Sequence, residues 1–108
     1  MMYHEPFVEF VRDQLRDLGT IQIRRMFGSF GLYAHGVFFG IISDGELYFK
    51  TNDQTRPEYE AFGMAPFRPN AHQTLKTYYA VPPDILEDSE QLVVWAERAI
   101  RCASDKLP

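Results

Sequence analysis

Arg24-Arg25-Met26-Phe27-Gly28-Ser29-Phe30-Gly31-Leu32-Tyr33 is the stretch on which the reading of this chain turns. Two arginines and three aromatics stand beside a run with strand character. Gly28 and Gly31 imply a sharp redirection of the backbone between two strands. To the left, Ile21-Gln22-Ile23 alternates and leads into Arg24-Arg25-Met26-Phe27. To the right, Leu32-Tyr33-Ala34 reads as a short strand, and His35-Gly36 as a tight turn with glycine supplying positive φ. Residues 37–43 are nearly all apolar, as in a strand covered on both faces. Asp44-Gly45 is a stronger hairpin signal, and Leu47-Tyr48-Phe49-Lys50 is its second arm. Together these segments predict an antiparallel meander.

Helices bracket the meander. Pro6 suits a first helical turn. Phe7, Phe10, Val11, Leu15 and Leu18 recur at helical spacing, and Gly19 ends the element. A short helix is expected over residues 55–62, where Thr55 and Glu58 have capping-box spacing, Pro57 lies in the first turn and Gly63 terminates it. Residues 64–71 contain two prolines and read as a loop. Residues 73–81 return to strand, with Leu75, Thr77, Tyr79 and Val81 expected on one face and Lys76, Tyr78 and Ala80 on the other. After Pro82-Pro83, residues 84–87 read as a turn or a short helical piece. The last helix starts near Asp88, which stands at capping spacing from Gln91. Leu92, Trp95, Ala96, Ala99, Ile100 and Ala103 form its apolar side, and Lys106-Leu107-Pro108 should fray.

The expected order is α-β-β-β-β-α-β-α in a single domain over 1–108. The expected fold is an α+β two-layer sandwich: an antiparallel sheet of about five strands, with the first and last helices on the same face.

Eleven Lys and Arg stand against fifteen acids, a net charge of −4. A duplex binder gains affinity by neutralising phosphates, so stand-alone nucleic-acid binding is disfavoured. One cysteine, Cys102, precludes an intrachain disulfide and fits a reducing, cytoplasmic setting. The N-terminus lacks the basic and apolar regions of a secretory signal, and no apolar stretch reaches bilayer-spanning length.

Several ordered motifs resemble one family. They are Arg24-Arg25-Met26-Phe27-Gly28, Gly31-Leu32-Tyr33, Gly36-Val37-Phe38-Phe39-Gly40, Asp44-Gly45-Glu46-Leu47-Tyr48-Phe49-Lys50, Phe62-Gly63-Met64 with Pro66-Phe67, the pair Tyr78-Tyr79 with Val81-Pro82, and Trp95-Ala96. They resemble the N-terminal domain of the TfoX/Sxy competence regulators across nearly the whole chain. The resemblance implies a secretion-chaperone-like α+β fold. It also implies a link to regulation of DNA-uptake genes, where family members act with the cyclic-AMP receptor protein as co-activators. Regulators of this family carry a second, C-terminal domain, and this sequence matches a stand-alone N-terminal module. The family supplies no catalytic residues to carry over.

The residues themselves offer no catalytic constellation, no cofactor motif and no metal set. His4, His35 and His72 are far apart and read as exposed side chains. Cys102 lacks a local activating motif and reads as an incidental thiol. Asp84, Glu87, Asp88 and Glu90 suit a helix start. Adjacent Arg24 and Arg25 point to opposite faces of a strand. With Lys50, Arg56, Arg68 and Lys76 they are either a basic patch for an anionic partner or separate surface charges. Phe38, Phe39, Tyr48, Phe49, Tyr78 and Tyr79 put aromatics on both sheet faces. One face meets helices, and rings left on the other suit a protein partner or a homodimer. Base stacking is the weaker alternative, given the acidic balance. The expected function is a non-enzymatic regulatory domain that binds a protein partner through Arg24, Arg25, Phe39, Tyr48 and Tyr78. The alternative is a small-anion-binding domain or enzyme with a pocket between sheet and helices.

Overall fold

The structure, a computed structural model, describes residues 5–104. Helix α1 (Pro6–Gln14) leads through a 3₁₀ turn, Arg16–Leu18, into four strands: β1 (Gln22–Met26), β2 (Ser29–Ala34), β3 (Val37–Ser43) and β4 (Glu46–Lys50). Helix α2 (Arg56–Ala61), β5 (Pro66–Asn70), β6 (Gln73–Ala80), α3 (Pro83–Leu86) and α4 (Ser89–Ser104) follow. His4 and the expected fraying of Lys106-Leu107-Pro108 lie outside the described residues.

The α+β class is as expected, but the sheet has six strands in the order β1-β2-β3-β4-β6-β5, and every pairing is antiparallel. The additional strand is β5, in the segment read as a loop because of Pro66 and Pro69. Proline removes a ladder donor and is tolerated at a sheet edge, where one side of the strand has no neighbour. β5 is such an edge. It meets β6 at Pro66↔Tyr79, Phe67↔Leu75 and Asn70↔Gln73, with register shifts between these pairs.

Three two-residue turns join the meander. At Phe27-Gly28, His35-Gly36 and Asp44-Gly45 both residues have positive φ, the conformation that matches the twist of a tight hairpin. The expected break at Gly28 is therefore real. Gly31, by contrast, lies inside β2 opposite Arg24 and Ile41, and its role is steric. A Cβ there would stand 3.1 Å from the rings of Phe38 and Tyr33.

All four helices pack against one face of the sheet. Val8, Val11 and Leu15 of α1, Tyr59 of α2, Ile85 of α3, and Leu92, Trp95, Ala96 and Ala99 of α4 join Leu32, Phe39, Leu47, Phe49, Tyr79 and Val81 in one core. Phe10 is exposed and Val8 takes its place on the buried stripe of α1. Trp95 anchors α4 by meeting Tyr59 edge-on at 4.7 Å.

The capping expectations divide. Asp88 Oδ1 accepts the Gln91 backbone N–H at 3.2 Å, and Gln91 Nε2 donates to Asp88 Oδ2 at 3.1 Å. At α2 the side chain of Thr55 makes no cap bond. Asn52 orders the turn before α2, its Oδ1 accepting the backbone N–H groups of Gln54 and Thr55 at 2.9 Å, and the Glu58 N–H donates to the Thr55 carbonyl at 3.2 Å. The Glu58 side chain accepts from Arg98 at 2.7 Å across to α4.

Candidate functional site

Among the described residues, no helix covers the second face of the sheet. Its composition follows from strand alternation and one irregularity. The β2–β3 register passes from Leu32↔Gly40 to Tyr33↔Phe38, leaving Phe39 as an extra residue. Such a bulge lets Phe39 turn into the core while Phe38 stays on the open face. Phe39 is 0% exposed, with its ring 5.8 Å from Phe49 beneath the helices. It has no surface to offer a partner, and its assignment as a binding residue is withdrawn.

On the open face the rings form a connected strip. Tyr33 stacks on Phe38 at 5.2 Å, and Phe38 meets Tyr78 at 5.5 Å. A cation closes each end: the Arg24 guanidinium lies 5.1 Å from the Tyr33 ring centre, and Lys50 Nζ lies 5.3 Å from that of Tyr78. The exposed Arg24 contact stabilises by about 0.5–1 kcal/mol, and the Lys50 contact is half-buried. Lys50 Nζ also donates to Thr77 Oγ1 at 3.0 Å, and Arg24 donates to Gln22 Oε1 at 3.2 Å. The ion pairs among the described residues join Arg16 to Asp13, Arg56 to Asp53 and Arg98 to Glu58. Neither Arg24 nor Lys50 is neutralised by a carboxylate in this way, although the chain is acidic overall.

Beside the strip is a second group. Tyr48 packs on Phe67 at 4.7 Å, and Ile41 is buried outside the helix-covered core. A cleft of about 460 Å³ opens here, walled by Phe38, Ile41, Phe67 and Leu75, with Met26 and Phe27 at one end and Asn70 and Gln73 at the other. Its walls come from β1, β3 and the β5–β6 hairpin, so the two outer strands of the sheet border one hollow. Leu75 belongs to this hollow and not to the face of Tyr79 and Val81, because the register shift in β5–β6 breaks the strict alternation. Phe27 is fully exposed, and its φ of 47° is unusual for an aromatic residue.

Burial, and secondarily the neighbouring Tyr33 hydroxyl, push the Tyr78 phenol up to about 12. Tyr48 is also raised, by burial first and then by Glu46 and Asp44. Both rings are neutral hydrogen-bonding groups over the physiological range.

Of the six cations proposed as a patch, the open face gathers two. Arg25 lies on the other side of β1, its guanidinium 5.2 Å from the centre of the Phe30 ring. Arg56 pairs with Asp53, and Arg68 donates to the Ala71 carbonyl at 3.2 Å. Phe27, Phe38, Phe67 and Leu75 had no place among the sequence-derived binding residues. For Phe27 and Phe38 the signals were an aromatic at a glycine turn and the Phe38-Phe39 pair of β3; nothing local marks Phe67 and Leu75.

The remaining chemistry is sparse. His35 and His72 sit in turns, and the described residues hold no group of His, Cys, Asp and Glu arranged for a metal ion. Cys102 Sγ lies 3.7 Å from Thr55 Oγ1. Between α1 and the sheet a hollow of about 320 Å³ is lined by Glu5, Phe7, Phe30, Asp44 and neighbours, with carboxylates and no cation, which is unsuited to an anion. No helix among the described residues is long and apolar enough to cross a membrane.

Comparison with known proteins agrees with the motifs. Residues 13–103 match the family described as the TfoX N-terminal domain. Over 44 residues the chain is 41% identical to Protein Sxy of Escherichia coli (strain K12), a match covering 41% of this chain and 21% of that protein. The match thus spans about a fifth of the length of this curated relative.

Proposed function

The chain belongs to the TfoX N-terminal domain family, and from that premise we propose that it is a non-enzymatic interaction domain, acting on transcription by binding a protein partner through the open face of its sheet. The observation that carries this reading is the strip Arg24–Tyr33–Phe38–Tyr78–Lys50 beside an apolar cleft, on a face that no helix covers. Aromatic residues and arginine around a desolvatable hollow are the composition of a binding hot spot.

The resemblance to competence regulators supplies the partner to try first, the cyclic-AMP receptor protein. Purified receptor protein and this chain are mixed and followed by sedimentation velocity, alongside affinity capture from the native cell. A specific complex that Arg24→Ala with Tyr78→Ala weakens, at unchanged melting temperature, supports the reading. Absence of any specific protein complex in both experiments contradicts it.

A further inference from the structure

The interaction reading leaves the chemistry of the partner open, and the open face specifies it. We propose that this face takes an extended, acidic–apolar segment of a partner protein, lying across the strands, with one large apolar side chain in the cleft and carboxylates on Arg24 and Lys50. The inference rests on the interaction reading and narrows it.

Charge complementarity is the first argument. Arg24 and Lys50 are held over rings and lack carboxylate partners within the described residues, in a chain with more acids than bases. Cations in such a chain that are ordered by aromatics and not by acids are positioned for acids from outside. The spacing gives a second constraint. Arg24 is on β1 and Lys50 on β4, three strand spacings away, roughly 14 Å across the sheet. The register sets Arg24 level with Tyr48, two residues short of Lys50 along β4, so the separation is about 16 Å; an extended chain advances about 3.3 Å per residue, which places the two acids four or five residues apart. The strip between them is aromatic, and Phe38 belongs both to it and to the cleft wall. An apolar side chain between the two acids therefore lies at the edge of the cleft, over Phe38, and a hollow of about 460 Å³ admits a leucine or phenylalanine side chain from the strip.

A single-stranded nucleic acid would also meet cations and rings here, but the rest of the surface opposes it. A polyphosphate chain gains from neutralising many cations, and this face offers two. The cleft walls Ile41, Phe67 and Leu75 suit an aliphatic or aromatic side chain.

The test is selection of displayed random dodecapeptides on the immobilised chain, followed by fluorescence anisotropy of one enriched peptide, labelled with fluorescein, against the chain and its variants. Enriched peptides should carry two acids four or five residues apart with Phe, Leu or Ile between them. Arg24→Gln with Lys50→Gln should weaken the labelled peptide about tenfold, two ion pairs of modest strength together. Leu75→Ala should weaken it by a similar factor, with melting curves confirming that both variants fold. Octathymidylate should neither bind nor compete. Enrichment of peptides without paired acids, or binding indifferent to Arg24, Lys50 and Leu75, would overturn this inference while leaving an interaction domain with another surface. Competition by the oligonucleotide, or no enrichment at all, would also overturn it. The interaction reading itself fails separately, on the absence of a protein complex in sedimentation and capture.

Discussion

A methyl group added at Gly40 and one added at Gly31 should have opposite consequences, because the two glycines face different sides of the sheet. At Gly40 a Cβ would lie 3.1 Å from the Tyr48 carbonyl oxygen and 3.3 Å from Phe49 Cδ1, one of them backbone and the other in the closed core. Neither neighbour can give way without moving a strand or repacking the interior. Overpacking of this kind costs about 1–3 kcal/mol. For a domain of this size each kcal/mol lowers the melting temperature by about 4–8 °C. At Gly31 the Cβ would meet the edges of Phe38 and Tyr33 at 3.1 Å and Met26 Sδ at 3.4 Å. These are side-chain ends on the open face and can shift outward. The loss is offset by the lower entropy that alanine gives the unfolded chain, about 0.4–1 kcal/mol. Gly40→Ala should therefore melt several degrees below the parent, and Gly31→Ala within about 2 °C of it, measured by circular dichroism at one scan rate. Gly31→Ala should still disturb partner binding, since it displaces the Tyr33–Phe38 stack. Equal losses, or a larger loss for Gly31→Ala, would refute the division of the sheet into a packed and an open face.

Other outcomes follow from single sites. Trp95→Ala removes the ring that meets Tyr59 edge-on in the core and should cost about 3–5 kcal/mol, visible as a large drop in the denaturant midpoint. Tyr78 holds its proton more tightly when folded than at the ordinary value of 10.0, so the stability it lends is complete below pH 10 and is lost as pH rises through about 12. Tyr78→Phe should flatten that part of the alkaline unfolding curve, and in the folded parent Tyr78 should titrate in the ultraviolet above pH 10 together with Tyr48, Tyr59 and Tyr79, so the variant loses one tyrosine from that late group. Asp88 is displaced in the other direction, held below its ordinary 3.8 by hydrogen bonds from the Gln91 side chain and backbone. Its contribution is present above that value and disappears as pH falls through the lowered one. Asp88→Asn should keep the cap acceptor while removing this share of the acid dependence of the melting temperature.

Much of the scaffold can be read from local chemistry. His35-Gly36 and Asp44-Gly45 sit where hairpin turns need positive φ, and α4 begins where Asp88 caps it. What escaped the sequence reading involves partners distant in the chain. Pro66 and Pro69 look like loop residues until β6 supplies the edge on which they are tolerated. Thr55 and Glu58 have the spacing of a capping box, but the Glu58 N–H goes to the Thr55 carbonyl and Arg98 takes the Glu58 carboxylate. Phe38 and Phe39 are adjacent aromatics of equal promise, and a bulge decides that one faces the open side and the other the core. Arg24, Tyr33, Phe38, Tyr78 and Lys50 come from five strands. Their convergence depends on β6 docking against β4, which no local pattern announces.

The most direct test of the central claim, that the open face is the recognition surface, is hydrogen–deuterium exchange of the chain alone and saturated with its captured partner. The account predicts slowed exchange in β1, β2 and the β5–β6 hairpin around the Phe27–Leu75 cleft. Protection confined to the outer side of α2 and α4, where Phe62 and Val94 are exposed, with the strands unchanged, would contradict it.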